Sequence, residues 1–338
     1  MKETVLTIGK FDGVHAGHAF LLAQVASLAA ERGLEPAVMT FDPHPACVVA
    51  PERAPRPLMS LEERCAKIRA LGIEEVFVLP FTHEISRLSP EEFVARYVRD
   101  RMRARVVIVG SNFRFGYKQA GNPGVLAELG QGQAQGWGFE TRLVEAVKLR
   151  GLIVSASEIR RRIQAGEVSL AGRLLGRPYA LAGEVVSGQG IGSRQTVPTL
   201  NLNTSAEILP RDGVYITRTH DLETDRSWNS ITNIGMRPTF DGTARTIETF
   251  LLDLLPLPDG RGSVAGSQAQ SPLLNRDCQG AAATPHRIRL DLLRRVREER
   301  KFETPEALKS QILRDVERAR IYFRRVAQWV RGAIPYAL

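Results

Sequence analysis

GKFDGVHAGH, residues 9–18, lies between an apolar run (Val5, Leu6, Ile8) and a helix-period pattern (Phe20, Leu21, Val25, Leu28) that closes at Gly33. That grammar places the segment at a strand-to-helix junction, with Gly33 as a left-handed C-terminal cap. The first turn of a helix offers free N–H groups and the positive end of its dipole, and both attract anions. The glycines are expected to let a phosphate approach the backbone. His15 and His18 add two imidazoles as donors to phosphate oxygens. The chain has only six histidines, and two of them fall in this turn. The segment therefore reads as a nucleoside-triphosphate site.

Two other chemistries are excluded by spacing. The glycine-rich loop that ends in Gly-Lys-Ser/Thr is absent, so histidine and backbone rather than a loop lysine should hold the phosphates. A helical zinc site wants histidines four apart with further ligands, whereas these are three apart and no cysteine pair accompanies them.

The 338 residues, 43% hydrophobic and 25% charged, suit a globular chain of two domains. No apolar stretch approaches the ~18 residues of a membrane span and no leader-like segment opens the chain. A cytoplasmic protein without a membrane partner is expected. Cys47, Cys65 and Cys278 are widely spaced and form no disulfide framework or metal cluster. The net charge of +9 suits anionic partners. The arginines fall mostly on helical patterns, and no aromatic-interleaved basic strand accompanies them, so nucleic acid is not the expected partner.

The first half alternates strand-like runs with amphipathic helices. Strands are expected at VLTIG, EPAVMTF (35–41), EEVFVLPF (74–81), ARVVIVG (104–110) and FETRLVEAV (139–147). Ser60 with Glu63 and Ser89 with Glu92 mark helix starts. This is the pattern of a Rossmann-like α/β domain, a parallel sheet whose ligands sit at the carboxyl ends of the strands. After about residue 177 strands follow one another without helices (YALAGEVVSG, PTLNLN, GVYITRTH, SWNSITNIG, TIETFLLDL, HRIRLDLL), implying an antiparallel β-barrel. A long helix begins at Thr304-Pro305, with Leu308, Ile312, Val316, Ala319 and Phe323 on one face. Residues 256–285 are rich in Gly, Ser, Pro, Ala and Gln without periodicity, and read as a disordered insertion. The expected domains are therefore 1–176 and 177–338.

Further segments belong with the opening turn. Phe41 to Pro45 ends the second strand, and Gly110 to Gly116, which contains Asn112, ends the fourth. Ser155 and Glu158 form a capping box that presents Ser157 and Arg160 in the first turns of a helix. Cationic and N–H donors converging on a phosphate are what nucleotidyl transfer needs.

In this order the segments resemble the bacterial bifunctional riboflavin kinase/FMN adenylyltransferase (FAD synthetase) family, over nearly the whole chain. GxFDGxHxGH is matched by Gly9 to His18, FDPHP by Phe41 to Pro45, GxxFxFG by Gly110 to Gly116, and SSTxIR by Ser155 to Arg160, with Ala156 in place of a serine. The resemblance implies that FMN phosphate attacks the α-phosphate of ATP, giving FAD and pyrophosphate. His15, His18, Ser157 and Arg160 would stabilise phosphate charge. Gly9, Phe11, Asp12, Gly13, Gly17, Asn112 and Ser155 would contact nucleotide or flavin.

The second half resembles the riboflavin kinase domain of the same family. LGRPY is matched by Leu175 to Tyr179, a glycine-rich loop by Gly188, Gly190 and Gly192, PTxN by Pro198 to Asn201, GVY by Gly213 to Tyr215, and NIGxRPTF by Asn233 to Phe240. A glycine-rich turn frees N–H groups for phosphates, and the Thr199 hydroxyl and Asn201 carbonyl are hard ligands for the Mg2+ that accompanies ATP. Glu248 is the candidate general base for the ribityl hydroxyl. Departures lie here: Gln195-Thr196-Val197 replaces LGF, Phe250 replaces a histidine, and the insertion displaces DFxxxLYG. RIRLDLL and VREERKF resume the family pattern, so the barrel should close around the excursion.

The expected activity is conversion of riboflavin to FMN and of FMN to FAD, each with ATP. Riboflavin, FMN and ATP are then the small-molecule partners, and a homo-oligomer is left open. The alternatives are an adenylyltransferase with an impaired kinase domain, a nucleotidyltransferase for another acceptor, and a basic nucleic-acid-binding protein.

Overall fold

A computed structural model describes residues 2–131, 138–186, 199–239, 242–252 and 285–332 of the protein. The chain folds into two compact units: Met1–Arg161 with Arg173–Arg177, and Arg162–Gly172 with Pro178–Leu338.

In chain order the first elements are β1 (Thr4–Ile8), α1 (Ala16–Arg32), β2 (Glu35–Asp42), α2 (Pro45–Val49), α3 (Leu61–Arg69), β3 (Glu75–Pro80), α4 (Pro90–Phe93), β4 (Ala104–Gly110), α5 (Pro123–Gln131) and β5 (Glu140–Val144). A short hairpin, β6 (Lys148–Leu149) and β7 (Leu152–Ile153), leads to α6 (Ala156–Gln164) and α7 (Val168–Leu175). The five strands β1 to β5 form one parallel sheet in the order β3-β2-β1-β4-β5. Leu6, Ile8, Met39 and Val107 face one apolar layer, and Val5, Val38, Val106 and Ile108 face the other. A strand buried on both faces needs a continuous apolar run, which is what VLTIG and ARVVIVG supply. β5 is an edge strand, shorter than expected from its sequence, and Leu143 on it is exposed.

Local signals formed as the chemistry requires. Gly33 ends α1 at φ 65°, and both Ser60 and Ser89 close capping boxes with Glu63 and Glu92. Beyond α4 the helix continues as π-helix from Val94 to Arg101, which no local sequence signal announces.

The second unit holds β8 (Tyr179–Val186), β9 (Leu200–Thr204), β10 (Gly213–Asp221), β11 (Ser227–Thr239), β12 (Gly242–Leu251) and β13 (Arg287–Arg297). They close an antiparallel barrel in the order β10-β11-β12-β9-β8-β13. β12 and β13 both take their places in it, so the barrel closes across the 256–285 segment, which itself lies almost wholly outside the described residues.

The final helix, α8 (Pro305–Gly332), packs Val316, Ala319 and Phe323 against Val214, Ile216, Ile231, Phe250 and Leu252. Ile312 joins this layer, whereas Leu308, one turn from the helix start, remains exposed. On the alternate face of the strands runs a ladder of fully buried hydroxyls. Thr217 bonds Ser230 (2.7 Å) and Thr232 (2.8 Å), Thr219 bonds Ser230 (2.8 Å), and Thr232 bonds Thr249 (2.8 Å). The three inner hydroxyls, Ser230, Thr217 and Thr232, each have two partners and the end members Thr219 and Thr249 one each, and this pairing offsets the cost of burying polar groups in a barrel interior.

Candidate active sites

The turn after β1 sits at the point where the strand order reverses, between β2 and β4, the usual ligand crevice of an open α/β sheet. Its backbone is unusual: Phe11 (φ 50°), Gly13 (φ 82°) and Val14 (φ 36°) are all left-handed. Only glycine adopts that region freely, so the surrounding structure must hold Phe11 and Val14 there. A Cβ on Gly13 would also meet Leu58 Cδ1 at 2.8 Å. The space beside Gly9 is taken by the Phe11 ring and that beside Gly17 by the His15 ring, with nearest approaches to an added Cβ of 3.1 and 3.3 Å. Those two glycines therefore make room for side chains of their own turn.

His15 is the N-cap of α1, and its Nδ1 accepts the His18 backbone N–H at 3.2 Å. The His15 and His18 rings stack with centroids 3.6 Å apart at 12°, and Phe11 packs against His18. Burial pushes His15 down to about 4 and His18 well below the usual imidazole range. Both rings are neutral at pH 7. Because Nδ1 of His15 is an acceptor, its proton resides on Nε2, leaving an N–H donor on the far side of the ring.

His44, in FDPHP, repeats the device. It caps α2, its Nδ1 accepts the Ala46 N–H at 3.1 Å, and burial followed by the charges of Lys10, Arg160 and Arg64 brings it to about 4. The sequence motif contained it, but only the electrostatics place it beside the same cations as the opening turn.

Asp12 is buried, and its carboxylate accepts the Leu58 N–H (2.9 and 3.2 Å) and an Nη2 hydrogen of Arg160. Arg160 Nε donates to Arg56 O at 2.7 Å. Burial raises Asp12 above the usual carboxylate range, against the opposing pull of Arg160, the Leu58 N–H and Arg64. Arg64, also buried, donates to Lys10 O at 2.9 Å. The carbonyl of Val154, just before the N-cap Ser155 of α6, lies 3.8 Å from a Cβ built on Gly17, so the starts of α1 and α6 adjoin. Ser155 accepts the Glu158 N–H at 3.3 Å, and Ser157 is exposed in the first turn. Asn112 is exposed beyond the end of β4, the strand next to β1.

In the barrel, Glu248 on β12 stands directly opposite Asn201 on β9 and opposite Asn233 on β11. Paired residues share a face, so one carboxylate and two amides converge, with Thr199 exposed just before β9. Glu299 lies on the same region, accepting the Met236 N–H at 3.3 Å and approaching Asn233 Nδ2 at 3.5 Å. It occupies the space that a Cβ on Gly235 would need. Phe250, two residues on, is buried in the apolar layer under α8. Gly188, Gly190, Gly192 and Gln195-Thr196-Val197 lie outside the described residues.

Residues 1–158 match the family model described as FAD synthetase, and residues 175–323 match riboflavin kinase. A Pseudomonas fluorescens protein described as bifunctional riboflavin kinase/FMN adenylyltransferase is 34% identical, with 94% of this chain and 92% of that protein covered. The chain belongs to the bifunctional riboflavin kinase/FMN adenylyltransferase family. A Bacillus subtilis member of the same description is 31% identical over 95% of this chain and 93% of its own. A solved Streptococcus pneumoniae structure titled as a macrolide-efflux protein superposes with TM-score 0.75 at 25% identity, covering 94% of each chain. Among the described residues no helix is long and apolar enough to cross a membrane.

Within this family frame, the structure brings His15, His18, Asp12 and Arg160 into one neighbourhood and Asn201 with Glu248 into another. Sequence reading passed over Lys10, His44, Arg64 and Arg177, because their proximity depends on chain segments far apart. His44 alone carried a local signal, a histidine directly before the first proline of a helix.

Proposed function

We propose that the protein phosphorylates riboflavin to FMN with ATP, and adenylylates FMN to FAD with release of pyrophosphate. Residues 1–176 carry the adenylyltransferase and 177–338 the kinase. The observation that carries the first activity is the neutral, stacked His15/His18 pair at the start of α1, on the switch point of the sheet. An FMN phosphate oxygen attacks the α-phosphorus of ATP, a new P–O bond forms, and the bond to the bridging oxygen of pyrophosphate breaks. His15 donates through Nε2–H to the charge that develops on the phosphate oxygens, His18 and Ser157 flank it, and Asn112 orients nucleotide or flavin. Arg160, held by Asp12, supplies positive charge.

In the kinase half, Glu248 accepts the proton of the ribityl 5′-hydroxyl as its oxygen attacks the γ-phosphorus of a second ATP. The Thr199 hydroxyl and the Asn201 carbonyl, the second of them on the residue paired with Glu248, are an oxygen set suited to Mg2+, which when bound would neutralise phosphate charge. The enzyme works in the cytoplasm, a compartment that suits the free and exposed Cys47.

Purified protein given riboflavin, ATP and Mg2+ should form FMN and then FAD by chromatography. Glu248→Ala should abolish FMN formation and spare conversion of supplied FMN. One observation favours a second reading, an adenylyltransferase with an impaired kinase: Phe250 fills with an apolar ring a place where the family has histidine. Wild-type protein that makes FAD from FMN but no FMN from riboflavin would establish it.

A further inference from the structure

Arg177 stands in the LGRPY string that opens the kinase half by sequence, yet it folds with the first unit. Its Nη2 donates to Gly13 O at 2.6 Å, and its Nη1 donates to Val14 O at 2.9 Å and Leu175 O at 3.2 Å. Among the described residues no carboxylate makes a direct ion pair with this half-buried guanidinium, and Glu63 acts on it only as a charge at longer range. A cation without an ion-pair partner, whose fork is filled by main-chain carbonyls, is organising backbone rather than balancing charge.

The backbone it grips is the strained part of the turn. Gly13 and Val14 have φ of 82° and 36°, and Val14 is β-branched, the side-chain class least suited to that region. The next residue is His15, the N-cap of α1. A peptide plane released before Val14 would swing the imidazole away from the His18 N–H and from its stacked partner.

We propose that Arg177 is a positioning residue of the adenylyltransferase site, clamping the left-handed Gly13-Val14 turn so that His15 presents its donor to phosphate. The proposal rests on the adenylyltransferase reading above. The motif that sequence alone ascribes to the kinase thus serves the other reaction. A second consequence follows from the charge. Burial is the main reason that His15 titrates low, and the charge of Arg177 lowers it further.

Two variants of the full-length protein separate geometry from charge. Arg177→Met removes both, and Arg177→Lys keeps the charge but loses the planar fork. FAD formation from FMN and ATP should fall at least about tenfold in kcat in both, since a misplaced catalytic group costs rate steeply. Riboflavin phosphorylation should stay within about twofold of the parent in both. The His15 Cε1 proton, followed by NMR against pH, should report a pKa that stays well below 6.5 in both, because burial is the larger cause, but that moves up from the parent value in Arg177→Met and not in Arg177→Lys. If Arg177→Met fails to fold, Arg177→Lys alone decides the question through its kcat and unshifted titration. Adenylylation within twofold of the parent in Arg177→Lys, or a loss confined to riboflavin phosphorylation, overturns the proposal. A parent that makes no FAD from FMN would instead overturn the adenylyltransferase reading, leaving the NMR titration to judge the clamp.

Discussion

Asp12 and Arg160, 148 residues apart, form a nearly buried ion pair whose carboxylate also accepts the Leu58 N–H. The pair joins three pieces of chain: the turn after β1, the segment before α3, and the first turns of α6. Arg160 then continues to Arg56 O, so its Nε and one Nη2 hydrogen are engaged within the protein. An arginine expected to serve phosphate is thereby held in a fixed place, at the cost of part of its donor set.

Asp12→Asn keeps an acceptor for Leu58 but removes the charge that orients Arg160. Adenylylation should fall about ten- to hundredfold while riboflavin phosphorylation persists, as measured by separate assays with FMN and riboflavin. Asp12→Ala should in addition lower stability by about 3 kcal/mol in urea unfolding, because it strands a buried N–H and an unpaired guanidinium.

The histidine pair makes stability depend on pH in a definite direction. His15 titrates near 4 when folded and near 6.5 when unfolded, so between those values the unfolded chain binds the extra proton. Stability is complete above pH 6.5 and declines as pH falls toward 4, by at most about 3 kcal/mol from this residue. Urea unfolding at pH 7.5, 5.5 and 4.5 checks this. His15→Gln should flatten part of the slope, and an unchanged slope would remove His15 as its source.

Thr217 stands at the centre of the hydroxyl ladder, bonded to both Ser230 and Thr232. Thr217→Val preserves shape and removes both bonds, leaving two buried hydroxyls short of a partner. A loss of about 1–3 kcal/mol is expected. Thr217→Ser, which keeps the hydroxyl and drops a methyl, should cost less than Thr217→Val.

Phe250 lies two residues beyond Glu248, where the motif resemblance implies a histidine. Restoring the polar ring by Phe250→His places it against Val316, Ala319 and Phe323. The barrel should lose about 2–3 kcal/mol, read by thermal or urea unfolding, with no gain in kinase kcat. A faster kinase would show that the histidine's chemistry outweighs the layer under α8.

The legible part of this protein was the part governed by neighbours within a few residues. VLTIG and ARVVIVG became the central strands because runs of apolar residues can only be buried on both faces. Ser60, Ser89 and Gly33 set helix ends because a cap acts on N–H and C=O groups of the adjoining turn. The π-helix at Val94–Arg101 left no such trace in the sequence; it begins beside Phe93, whose ring packs against Tyr97 and Phe115.

The sequence by itself determined the two-part architecture, the placement of His15 and His18 at a helix start, and the family. Tertiary structure alone decided which groups these residues meet: the Asp12 bond to Arg160, the grip of Arg177 on Gly13 and Val14, and the register that sets Glu248 opposite Asn201. It also decided that both imidazoles are neutral, because desolvation is a property of the packed site. Periodicity and capping are local free energies and can be read along the chain. Ion pairs, tautomers and cross-strand registers depend on which distant segments share a volume, and that is settled only when the core closes.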